Sequence, residues 1–104
     1  MSNMNQVMRQ AQAMQRKLKK AQDELAAMEF SGSAGGGMVK ATVSGDGRLS
    51  AVQIDKAAVD PDDVELLQDM VVAAVTEAMR SRTEAEERLL GPIAGGLGVP
   101  GLGL

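Results

Sequence analysis

From Met4 to Met28 the apolar residues recur at alternating steps of three and four: Met4, Val7, Ala11, Met14, Leu18, Ala21, Leu25 and Met28. No Gly or Pro interrupts them. The spacing predicts a helix over 4–28, about 36 Å long at 1.5 Å per residue. Its apolar seam is narrow, as in a coiled coil, rather than a broad core-facing stripe. Ala11 and Ala21 would let a partner helix approach closely. The period then changes. FSGSAGGG, Phe30 to Gly37, ends the helix in glycines and leaves room for a short edge strand before Gly35. MVKATVSGDGRLSAVQID, Met38 to Asp55, alternates as a β-hairpin does. Its turn signal is Asp46-Gly47, a dipeptide suited to a two-residue type I′ turn. That turn sets Val39 opposite Ile54, Ala41 opposite Val52 and Val43 opposite Ser50. This face packs, while Met38, Lys40, Thr42, Ser44, Leu49, Ala51 and Gln53 form a wetter one.

DPDDVE opens a second helix. Asp60 is the expected N-cap and Pro61 the first helical residue, while Asp62 and Asp63 suit the positive end of the helix dipole. The apolar set that follows is Val64, Leu67, Met70, Val71, Ala74, Val75, Ala78 and Met79, widened by Leu66, Val72 and Ala73. MVVAAV is apolar almost all round, so this helix needs cover on more than one side, from the sheet and from a partner subunit. It is expected to fray toward Leu90. The last fourteen residues, GPIAGGLGVPGLGL, carry no charge and many Gly, and are expected to be a disordered tail. Its Leu, Ile and Val offer docking groups for a protein partner.

Composition sharpens the picture. In 104 residues there is one aromatic, Phe30, and eight Met. A chain this short with no large aromatic payload buries a modest core, so self-association is expected. There is no Cys and no His. Disulfides, thiol nucleophiles and the usual general base are therefore absent, and zinc loses its commonest ligands. No apolar run reaches the roughly 20 residues of a membrane helix, and no secretory signal opens the chain. A cytoplasmic protein with no membrane partner is expected.

Charge is divided unevenly. The net charge is −3, yet the first 22 residues hold Arg9, Arg16, Lys17, Lys19 and Lys20 and no acid. With Met4 as heptad position a, Arg9 and Arg16 are f, Lys19 is b, Lys20 is c and Lys17 is g. Four of the five thus lie away from the seam, interleaved with Asn5, Gln6, Gln10 and Gln12. An ordinary solvated coiled-coil surface mixes Glu with Lys in i,i+4 pairs. Here the first acid is Asp23, and carboxylates are what a phosphate backbone would repel. On the residues alone, the face is either solvated surface or a contact for a polyanion.

Catalytic patterns fail one by one. GSAGGGMVK lacks the Gly-Lys-Ser/Thr order of a phosphate-binding P-loop. The acids from Asp60 to Glu65 lack the central Gly and terminal Glu of a calcium loop, and helix capping accounts for them. No Ser has a His with which to form a triad. No enzyme activity, cofactor, metal site or small-molecule substrate is expected.

The basic first helix, GGGMVKATVSGDG (Gly35 to Gly47), VQID (Val52 to Asp55) and above all DPDDVELLQDMVVAAVTEAMR (Asp60 to Arg80) together resemble the YbaB/EbfC nucleoid-associated proteins of bacteria. The resemblance covers residues 4 to 90. It implies an α+β fold: a long N-terminal helix, a small antiparallel sheet with a β-hairpin, and a second helix, in an intertwined, tweezer-like homodimer. One domain is expected over 1–90, with a basic helical arm at 4–28, sheet at 29–56 and a dimer-core helix at 60–90, followed by the tail at 91–104. The implied dimer core is Leu67, Met70, Val71, Ala74, Val75 and Ala78. The implied partner is duplex DNA in the nucleoid, with a role in nucleoid organisation or gene regulation. Phosphates would be held by Arg9, Arg16, Lys17, Lys19 and Lys20, and more weakly by Arg80 and Arg82 among their neighbouring glutamates. The lack of aromatics disfavours single-strand stacking platforms. The alternative is a coiled-coil adaptor that docks a partner helix on the seam and binds no DNA.

Overall fold

The computed structural model describes residues 2–96, with side-chain surroundings for 3–93. Helix α1 spans Ser2–Ala26, strands β1 (Glu29–Ala34), β2 (Val39–Ser44) and β3 (Leu49–Ile54) follow, and helix α2 spans Val64–Gly96. The strands form one antiparallel sheet in the order β1-β2-β3. The fold is thus α+β, with the expected order of elements.

Three glycines make the β1–β2 connection because all three sit at positive φ, 63°, 68° and 95° for Gly35, Gly36 and Gly37. The β2–β3 turn differs from the expected type I′. Only Gly47 has positive φ, at 92°, whereas type I′ requires it at Asp46 as well. Gly47 N–H donates to the Ser44 carbonyl and Ser44 N–H to the Arg48 carbonyl, so Gly45-Asp46-Gly47 form a three-residue loop. That loop moves the register by one and pairs Val43 with Leu49 instead of Ser50. A bulge at Ser50 restores the register, so Ala41 still faces Val52 and Val39 still faces Ile54.

α2 lies over β1 and β2. Val39, Ala41 and Val43 meet Met70, Ala74 and Ala78 in the core, with Leu67, Val71 and Val75 half-buried at its border. The helix can approach because Gly32 of β1 sits beneath it, where a Cβ would strike the Ala74 carbonyl and the Ala78 amide. β3 receives no such cover, and every residue in it is exposed. Val52 and Ile54, paired with Ala41 and Val39 on the packing side of the sheet, remain 38% and 42% exposed.

Both helix boundaries of α2 differ from expectation. Asp60 caps the preceding turn, its Oδ1 accepting from Asp62 N–H at 2.9 Å. The helix itself is capped by Asp63, whose Oδ1 accepts from Leu66 N–H at 3.2 Å. At the other end the helix passes Leu90 and continues through Gly91 and Pro92 to Gly96. Residues 91–96 are thus helical and not part of a disordered tail. Leu89 and Ile93, both half-buried, line a cleft against α1, and the helix runs through Gly91 and Pro92 despite their poor local propensity. Residues 97–104 lie outside the described residues.

Candidate nucleic-acid interface

α1 divides along its length. Leu25 and Ala21 are buried at 3% and 6% exposure, and Leu18 and Met14 are half-buried. α1 packs on α2 of the same chain, where Leu89 and Ile93 lie across a cleft from Ala21. Near Leu25 the β2–β3 turn closes over the helix end: Gly45 packs on the Leu25 carbonyl, where any Cβ would clash, and its N–H donates to the Met28 carbonyl at 2.9 Å. Toward the N-terminus the seam is bare, with Met4, Val7 and Met8 at 67%, 59% and 56% exposure.

All five basic residues of α1 are exposed. Lys19 lies 3.5 Å from Asp23 across one helical turn, with both side chains largely in solvent, a pairing of small worth. Among the described residues, Arg9, Arg16, Lys17 and Lys20 make no ion pair. Lys17 and Lys20 flank the cleft of about 240 Å³ between the helices, with Ala21, Glu24, Leu89 and Ile93. Arg9 and Arg16 repeat at the heptad position farthest from the seam.

The two arginines of α2 have different surroundings. Arg80 is exposed. Arg82 is only 24% exposed in its side chain, donates from Nε to the Gly45 carbonyl at 2.7 Å and pairs with Glu86 at 3.0 Å. It ties α2 to the β2–β3 turn. Sequence reading missed this role, since nothing in the pattern around position 82 announces a contact 37 residues away.

Of the residues expected at a dimer core, Met70, Ala74 and Ala78 are buried inside their own chain. The apolar groups left open are Leu49, Val52 and Ile54 on β3 and Val64, Leu66, Val72 and Met79 on α2, between 38% and 64% exposed. Of these, Val72 lies within the apolar run MVVAAV.

Among the described residues no group of His, Cys, Asp or Glu is arranged to hold a metal ion, and no helix is long and apolar enough to cross a membrane. A cleft of about 410 Å³ is lined by Ser31, Gly32, Ser33, Gly37, Lys40 and Glu77.

The model of the YbaB/EbfC DNA-binding family matches residues 1–97. The chain belongs to this family. A nucleoid-associated protein of Saccharopolyspora erythraea is 55% identical, the match covering 96% of this chain and 94% of the relative. One from Streptomyces avermitilis is 53% identical, over 96% and 91%. The crystal structure of an uncharacterized protein from Helicobacter pylori shares the fold, with a TM-score of 0.74 and 21% identity over 86% of this chain and 95% of that one. The matched family is a DNA-binding one, and the first 22 residues of this chain, most of α1, carry basic groups and no acid.

Proposed function

We propose that this protein is a homodimer that binds duplex DNA in the bacterial nucleoid, chiefly through phosphate contacts from α1, and that it acts in nucleoid organisation or gene regulation. The reading rests on one observation above others. In a chain of net charge −3, the first 22 residues carry five basic side chains and no acid, and all five stand in solvent on one helix. Arg9 to Lys20 spans about 16 Å of helix axis, the length of about five base pairs. Contacts of this type fix position and carry little sequence information. The names of the relatives support the nucleoid as the site of action.

Self-association follows from the open apolar surface. β3 offers Val52 and Ile54 without a helix above them, and α2 offers Val72 and Met79. A second copy would cover both and bring two arms to one DNA, ten basic groups in all. If about half of these reach phosphates, the logarithm of affinity falls with the logarithm of salt at a slope of about −4.5.

The test is duplex binding titrated against salt, for the native protein and for Arg16→Glu/Lys19→Glu/Lys20→Glu, with sedimentation of both. The expected result is a steep slope for the native dimer and at least ~100-fold weaker binding for a charge-reversed protein that is still dimeric. Equal binding by the two would refute phosphate contact through α1 and revive the adaptor reading.

A further inference from the structure

The apolar seam of α1 is longer than the surface that covers it. In the structure of this chain the seam is half-buried at Met14 and Leu18 and buried at Ala21 and Leu25, where α1 packs on α2. Met4, Val7 and Ala11 keep the same three-four spacing beyond that point, with Met8 beside them, and all four are exposed. A seam that continues in register past its partner is built for a second helix, and Ala11 leaves space for one to approach.

Area and charge say when such a helix can dock. The bare side chains of two arms offer on the order of 600 Å², less than the roughly 1,200 Å² at the lower end of stable interfaces. Each arm is also a polycation, so two free arms repel. Phosphates that neutralise Arg9 and Arg16 remove the repulsion, and a shared DNA raises the local concentration of arms toward the millimolar range, where a small interface suffices. Arg9 and Arg16 lie opposite the seam, so the same helix can face phosphate on one side and another helix on the other.

We propose that, on DNA, the exposed half of the seam pairs with the same segment of a second protein molecule from a neighbouring dimer, linking dimers along or between duplexes. The proposal rests on the DNA-binding reading above.

The chain has no cysteine, so single cysteines report contacts without background. Val7→Cys places a thiol in the seam, and Gln6→Cys places one on the outer face. Each full-length variant is oxidised with and without duplex DNA, its DNA binding is measured in the same samples, and the products are sedimented after nuclease digestion. The expected result is disulfide formation by Val7→Cys that rises at least tenfold with DNA and at least doubles the sedimenting mass, with no such rise for Gln6→Cys. Intact DNA binding without cross-linking would overturn the pairing alone. Cross-links that leave the mass unchanged would mean that arms pair within one dimer, and equal yields without DNA would mean that DNA does not control pairing. Either result overturns the proposal. Failure to bind DNA at all would overturn it together with the functional reading.

Discussion

Over its middle turns α2 presents Ala74 and Ala78 to the sheet with no exposure, whereas α1 over its first turns presents Met4, Val7 and Met8 to solvent at more than half exposure. Both are long helices, and each is long for a different reason. α2 is held by close approach: small side chains above, Gly32 below, and a cap at Asp63. Only the end of α1 is anchored, by Leu25, Ala21 and the Gly45 turn. Its other end is shaped by what it leaves out, namely carboxylates and cover. The lesson is that helix length alone does not identify a core element. The same period serves packing where a partner lies opposite, and display where none does.

The comparison breaks most severely at the helix–sheet contact. Gly32→Val pushes a branched side chain into the backbone of α2, with no flexible neighbour to yield. A loss of about 3 kcal/mol or more is expected from the urea midpoint, with DNA binding lost only as the protein unfolds. Next comes the contrast within α1. Leu25→Ala, at 3% exposure, should cost about 2–4 kcal/mol. Val7→Ala, at 59% exposure, should stay within about 0.5 kcal/mol. Equal costs at both positions would mean that the arm is covered along its whole length.

The smallest expected effect lies at the β2–β3 turn. The Ser44 hydroxyl donates to the Asp46 carboxylate, and Arg48 donates to it at 3.0 Å. The Ser44 bond, then Arg48, hold the Asp46 carboxyl below its ordinary value of 3.8. A depressed carboxyl stabilises the fold above its unfolded value, and this stabilisation is lost as pH falls through the lower folded value. Urea midpoints measured below about pH 4 should therefore fall less steeply for Asp46→Asn than for the native chain. Identical pH profiles would show that the turn contributes nothing through this group.

Much of this was legible in the sequence because periodicity reports local geometry directly. The three-four spacing of Met4 to Leu25 and the alternation of Val39, Ala41 and Val43 reappear as α1 and β2. What was illegible depends on contacts between distant segments. The Gly91-Pro92 pair reads as a stop, yet Leu89 and Ile93 reach α1 and the helix continues. Asp46-Gly47 reads as a two-residue turn, yet the loop takes three residues and the Ser50 bulge repairs the register. The sequence shows that α2 is apolar nearly all round but not which residues meet the sheet; Met70, Ala74 and Ala78 do. In the candidate interface, the basic residues of α1 were legible from charge alone. The tie from Arg82 to Gly45 was not.

That tie supplies the most direct test, because Arg16 and Arg82 are one residue type in the two helices with opposite expected roles. Each is replaced by Gln in the full-length protein, and the urea midpoint and the salt slope of duplex binding are measured together. Arg16→Gln should reduce the salt slope by about two, one contact per arm of a dimer, with stability unchanged. Arg82→Gln should lower stability by about 1–3 kcal/mol, as expected for a lost charged hydrogen bond, and leave the slope as it was. A lower slope at Arg82 with stability intact, or an unaltered slope at Arg16, would contradict the assignment of α1 to DNA and of α2 to the fold.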